Sequence, residues 1–196
     1  MREWVRLPSL WIEDKGLTSF RWTPGMGANH TAALMILMGL AHRADAETGL
    51  ARVTYEELRE ALGLSKASIS GGLDVLVSQN LIEAGKRSQY QLCHYGQTGW
   101  AKLPAKPLYR NGRIPAFDEF HLRSANQLNA LRLYFLFAAR RARETNMASI
   151  SYDKIRDYTG IDKSRIRSAI SVLASASLVH VVQSSSSWNT LGFFNS

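Results

Sequence analysis

The chain has 196 residues, 45% of them hydrophobic and 20% charged, with one cysteine and a net charge of +8. That length suits one or two domains with buried cores. The lone Cys93 excludes an intramolecular disulfide and a cysteine-based metal site. No apolar run is long enough to span a bilayer. Arg2, Glu3 and Trp4 stand where a signal peptide would need a basic and then an apolar stretch. A reduced, cytoplasmic protein is expected, nucleoid-associated if it binds DNA.

In chain order, Trp4 to Ile12 is apolar and extended, interrupted by Pro8, and Asp14-Lys15-Gly16 is a turn signal. A long helix is expected from His30 to about Ala46, packed through Leu34, Leu37, Met38 and Ala41. Thr54 and Glu57 form a capping box that opens a second helix, Gly63 supplies a turn, and Ser65 caps a third helix. Residues 84–88 form a loop, and Tyr90 to Cys93 returns as a strand. Gln97 to Ser124 holds three of the five prolines and connects to a helix from Asn126 to Glu144, which ends in Arg140, Arg141 and Arg143. Cations there suit the negative end of the helix dipole.

From Ile150 the pattern repeats as a short helix, a turn at Gly160, and a second helix that Asp162 caps. Ile166, Ile170 and Leu173 form the buried face of that helix. The run Leu178 to Val182, a serine-rich tip at 184–187 and Trp188 to Phe194 read as a β-hairpin.

Shifted by 97 residues, the second half lies on the first without a gap. Seventeen positions from Asn29/Asn126 to Leu81/Leu178 are identical, among them Gly63/Gly160, Lys66/Lys163 and Ile69/Ile166. About three would be expected at average composition. Trp4-Pro8 is echoed by Trp100-Pro104. The reading is an internal duplication with units at 1–96 and 97–196. The recurring Trp4 and Trp100 are expected to be core anchors. Residues 1–96 carry ten Lys/Arg and ten Asp/Glu, whereas 97–196 carry fourteen and six. A basic unit beside a near-neutral one points to a polyanion and to unequal duties for the halves. Uneven surface charge on a soluble domain is the plainer alternative.

The exposed face of the helix after Gly160 carries Lys163, Ser164, Arg165, Arg167 and Ser168, cations for phosphates or guanine edges with small residues between them. A solvated basic face on a structural helix is the competing explanation. The matching helix of the first unit offers only Lys66 with Ser68 and Ser70, while Lys86 and Arg87 sit at its hairpin tip. That unit is open to two readings, a weaker DNA contact or a protein-docking face through which the chain forms a homodimer. Gly71-Gly72 inside this helix implies a close packing partner.

Nothing points to an enzyme, a cofactor or a metal. The five histidines are scattered without ligand spacing. Phosphate-loop and nucleophile-elbow patterns are absent.

Helix, capped helix, glycine turn, capped basic helix of form Lys-x-x-Ile, Val-Leu and hairpin resembles the winged-helix superfamily, over about 30–92 and 127–192. The resemblance implies a mostly α fold with small β wings (α+β), as two tandem winged-helix domains. It implies a non-enzymatic partner for double-stranded DNA, with no membrane association. Two such domains without a sensing domain look like plasmid and phage replication initiators. A transcriptional regulator built as a pseudo-dimer fits the same architecture and is placed slightly ahead. Winged helices also serve as protein-interaction scaffolds, which is the alternative from another class.

Overall fold

The computed structural model describes residues 2–97, 99–142, 144–183 and 189–192. It is a mixed α and β fold in which one order of elements occurs twice. The first set is α2 (Gly27–Arg43), β2 (Leu50–Arg52), α3 (Tyr55–Leu62), α4 (Lys66–Ser78), β3 (Ile82–Ala84) and β4 (Gln89–Leu92). The second is α5 (Ala125–Arg140), β6 (Met147–Ser149), α6 (Tyr152–Thr159), α7 (Lys163–Ser175), β7 (His180–Gln183) and β8 (Asn189–Gly192). Each set closes a three-stranded antiparallel sheet, ordered β2-β4-β3 and β6-β8-β7. The serine run at 184–187, Trp188 and Phe194 lie outside the described residues, as does Arg143.

Local chemistry explains the helix boundaries. Thr54 and Glu57 make the reciprocal capping box of α3, and Ser65 and Ser151 accept from the backbone N–H groups of Ser68 and Lys154. Gly63 and Gly160 end α3 and α6 at φ 69° and 68°, a left-handed turn that glycine adopts without a Cβ penalty. Asp162 departs from expectation: it is the N-cap of α7 in position, but its side chain makes no capping hydrogen bond. The long helices end earlier than expected: α2 runs from Gly27 to Arg43 rather than from His30 to about Ala46, and α5 stops at Arg140 rather than Glu144. Ala44 and Arg141 turn to extended backbone, and Ala44 bridges to Ala51 as the chain enters the sheet. Only Arg140 of the expected arginine cluster ends α5, and it is tied to Glu13 at 2.5 Å and to the Tyr158 hydroxyl.

Helix α2 is buried from Thr31 to His42 and forms the centre of the first half, with α4 and α3 against it; α5 is equally buried from Leu128 to Ala138. A helix apolar on all sides must be covered on all sides, and the two long helices also pack on each other. The double glycine of α4 is now explained. A Cβ at Gly72 would lie 2.6 Å from Ile36 Cδ1 and 3.0 Å from the Ala33 backbone nitrogen, so α4 rides directly on α2.

The halves join through β1 (Trp4–Pro8) and β5 (Trp100–Pro104), which pair antiparallel. Trp4 faces Pro104, Arg6 faces Lys102 and Pro8 faces Trp100, so the two echoed segments meet about a local dyad. Alternation buries Val5, Leu7, Ala101 and Leu103. It turns the tryptophans outward, contrary to the expectation of core anchors: Trp4 is 40% exposed and Trp100 half-buried. They stack in near-parallel planes with centroids 6.0 Å apart, flanked by Lys102 over Trp4 and Arg6 over Trp100. An exposed ring on a two-stranded ribbon is satisfied by stacking and a cation, without burial.

Beyond these strands each leading segment crosses to the opposite half. α1 (Leu10–Glu13) and the 3-10 turn Gly16–Ser19 lie against α5 and α6, with Trp11 6.1 Å from Phe135 and Lys15 bridging Asp157 at 2.7 Å. In return, His42 and Arg43 hydrogen-bond Tyr109, and the Ile114 N–H donates to the Ala61 carbonyl. The result is one continuous apolar core spanning both halves.

Candidate functional site

The outward face of α7 is built by exclusion. Ile166, Ala169, Ile170 and Leu173 are buried, which fixes the rotation of the helix and leaves Lys163, Ser164, Arg165, Arg167 and Ser171 exposed. Lys163 is paired with Asp153 at 2.5 Å, in the first turn of α6. Among the described residues no carboxylate forms an ion pair with Arg165 or Arg167. Ser168 is half-buried: its hydroxyl donates to the Arg165 carbonyl at 2.9 Å and approaches Asn126 Oδ1 on α5 at 3.3 Å. It is therefore turned toward the core side of the helix, away from the open face. The Ser171 hydroxyl is committed to the Arg167 carbonyl.

The corresponding face of α4 presents Lys66, Ala67, Ser70 and Asp74, all exposed. Ser68 is half-buried and shares a 2.9 Å hydrogen bond with the capping Ser65. Gly71 occupies the place of Ser168, and a Cβ there would meet the Asn29 side chain at 2.6 Å. Asn29 and Asn126 thus play matching roles beneath the two helices, against a glycine in one half and a serine hydroxyl in the other. Lys86 and Arg87 are exposed on the loop between β3 and β4, where Arg87 and Ser88 have φ of 56° and 58°. The first half offers one lysine on its helix and two cations on its loop. The second offers two arginines within a single turn, neither in an ion pair among the described residues.

Five residues not singled out from the sequence, Thr18, Arg21, Trp22, Asn129 and Arg132, complete the setting of α7. Crossing of the leading segment brings Thr18, Arg21 and Trp22 beside the amino end of α7, forming a groove of about 380 Å³ with Asn129, Arg132, Gly160, Asp162 and Arg165. Arg132 is only 6% exposed; its Nε donates to the Leu17 carbonyl at 3.1 Å and its Nη1 to Asn129 Oδ1 at 3.0 Å. Burial, with Arg21 nearby, lowers its guanidinium pKa to about 10. His30 accepts the Arg21 backbone N–H at Nδ1, and burial followed by the Arg132 charge lowers its pKa. Trp22 is 39% exposed. The available signal was Arg132 itself, a charged residue interrupting the apolar run of α5.

A second cavity of about 690 Å³ lies beside the β1 ribbon, but there Glu3 and Asp45 accompany Arg2 and Arg6, so its charge is mixed. Among the described residues no group of three His, Cys, Asp or Glu gathers to hold a metal ion, and no helix is long and apolar enough to cross a membrane. The sequence matches no protein-family model, and no curated protein matches it significantly.

Proposed function

We propose that this chain is a non-enzymatic, sequence-specific double-stranded DNA-binding protein built from two winged-helix units that arose by duplication. In this reading α7 enters the major groove. The observation that carries it is the pair of exposed arginines, Arg165 and Arg167, flanking the outward side of a helix whose Ile166, Ala169, Ile170 and Leu173 are buried. Cations held on a rigid element without an acidic partner are suited to phosphates and guanine edges. The excess of basic over acidic residues in 97–196 supports the same assignment.

The first half, with Lys66 and Ser70 on α4 and Lys86 and Arg87 on its loop, makes a weaker second contact or serves as a face for a homodimer. Two units related by a local dyad suit an operator with related half-sites, which favours a transcriptional regulator over an initiator acting at an origin of a plasmid or mobile element. A protein-docking scaffold is the alternative class, and it predicts little DNA affinity.

Fluorescence anisotropy on a mixed-sequence duplex across a salt series tests the reading, with wild type and the double variant Arg165→Ala/Arg167→Ala. Binding should weaken steeply with salt, and the variant's slope should be shallower by about 2, near one for each lost phosphate contact. Because both side chains are exposed, the variant's stability should stay within about 0.5 kcal/mol of wild type. No binding at low salt would reject DNA as the partner and leave the scaffold.

A further inference from the structure

Taking a charged side chain out of water is unfavourable unless an opposite charge or a set of hydrogen bonds replaces the hydration. Arg132 is buried at 6% exposure, and among the described residues it has hydrogen-bond acceptors but no carboxylate partner. Its third nitrogen, Nη2, is the side-chain atom nearest Gly160, 3.7 Å from where a Cβ would stand, in the wall of the groove. Arg21 and Arg165 line the same groove and bring two more guanidiniums to it; Asp162 is the one carboxylate in the lining. Three arginines against one carboxylate leave the lining with an excess of positive charge, and the Arg21 charge acts on Arg132. A bound anion offsets that excess and supplies the opposite charge that Arg132 lacks among the described residues.

The groove also lies at the amino end of α7, a helix of 13 residues whose first amides have no side-chain cap from Asp162. Such an end favours an anion. It does so here in addition to the buried arginine.

We propose that this groove is a phosphate-binding site, formed by Arg21 from the first half and by Arg132 and Arg165 from the second, that clamps one backbone phosphate of the nucleic acid. The assignment rests on the DNA-binding reading and adds a sequence-independent anchor beside the helix that reads bases. It also accounts for the inequality of the halves. At the positions 97 residues away, Arg132 is matched by Met35, Arg165 by Ser68 and Arg21 by Asp118. The counterpart groove near Gly63 and Ser65 is lined by Ser68, Asp118, Arg113 and Arg123; Arg113 is paired with Asp118 at 2.7 Å, and both arginines are exposed. Of the two grooves, as described, the second-half one alone is walled by a buried arginine. Trp22 at its rim is placed to pack on a sugar or a base beside the held phosphate.

The test uses the full chain with Arg132→Met, the residue the first half carries at that position, and Arg21→Ala, at an exposed position. Duplex anisotropy is measured against salt concentration on several unrelated sequences. In parallel, the melting temperature is followed with inorganic phosphate against chloride at equal ionic strength. Each variant should lower the salt slope by about 1 and weaken all duplexes by the same factor. Phosphate should stabilise wild type more than either variant. If both variants keep the wild-type slope while Arg165→Ala/Arg167→Ala lowers it, the groove proposal is overturned and the DNA-binding reading stands. If wild type binds no duplex, that reading fails. Arg132-dependent stabilisation by phosphate would then reassign the groove to a free phosphate, and its absence would remove the site altogether. Should Arg132→Met fail to fold, Arg21→Ala decides the question.

Discussion

Acidification should loosen the junction between the halves through His42. This ring is 6% exposed near the end of α2, with Nε2 2.8 Å from the Pro104 carbonyl and Nδ1 3.0 Å from the Tyr109 hydroxyl, both in the leading segment of the second half. A carbonyl only accepts, so Nε2 carries the proton and Nδ1 accepts from Tyr109. A second proton on the ring would meet the Tyr109 hydroxyl, on which Arg43 already donates. Burial, opposed by the Pro104 hydrogen bond and aided by the Arg43 charge, lowers the pKa from 6.5 to about 3. Between those values the unfolded chain binds the extra proton and the folded chain does not. Stability therefore rises with pH across the window and is lost as pH falls from about 6.5 toward 3. At 1.36 kcal/mol per pH unit, the loss from this one group is about 2 kcal/mol at pH 5 relative to pH 8, with a ceiling of about 5 kcal/mol. Against a total of roughly 5–15 kcal/mol that is a large effect. Urea denaturation of wild type and His42→Gln at pH 8, 6 and 5 isolates it, because the carboxylates and His30 are common to both. Wild type should lead at pH 8, and the gap should shrink by about 2 kcal/mol at pH 5. A gap that stays constant would refute a neutral His42 locked between the halves.

Three further perturbations probe packing. Ile166→Asp places an unpaired charge at a fully buried position of α7 and should cost more than about 4 kcal/mol; a cooperative melt near the wild-type temperature would show that this face is not the buried one. Gly72→Val forces a side chain into the 2.6–3.0 Å gap against Ile36 and Ala33 and should cost about 1–3 kcal/mol, read as a lower urea midpoint. An unchanged midpoint would contradict the close approach of α4 to α2. A double-mutant cycle of Trp4→Ala and Trp100→Ala should give a coupling of about 0.5–1.5 kcal/mol for the stacked pair, and zero coupling would argue against the ribbon.

The caps of the short helices, the glycine turns and the buried stripe of α7 were readable from the chain because they follow from interactions a few residues apart. Thr54-Glu57 and Ser65 announced their helices, Gly63 and Gly160 their ends, and the spacing of Ile166, Ile170 and Leu173 set the rotation of α7 and so the exposure of Arg165 and Arg167. The repeat at 97 residues foretold the recurrence of one element order. The three-residue strands β2 and β6 were not legible: such short segments owe their conformation to the partner strand rather than to their own pattern. The outward turn of Trp4 and Trp100 depended on pairing between segments nearly a hundred residues apart, which decides which face of each strand meets the core. Ser168 was drawn inward by a neighbour, Asn126, on another helix. Likewise the reciprocal crossing of the leading segments, which sets Arg21 beside Arg132 and Arg165 and locks His42 onto Tyr109, is a choice of long-range packing. The sequence by itself determined the capped helices, their glycine ends and the buried stripe of α7, because capping, turn geometry and periodicity act within a few residues. The tertiary structure alone decided which of those faces meet, because burial is shared between segments that no local interaction connects.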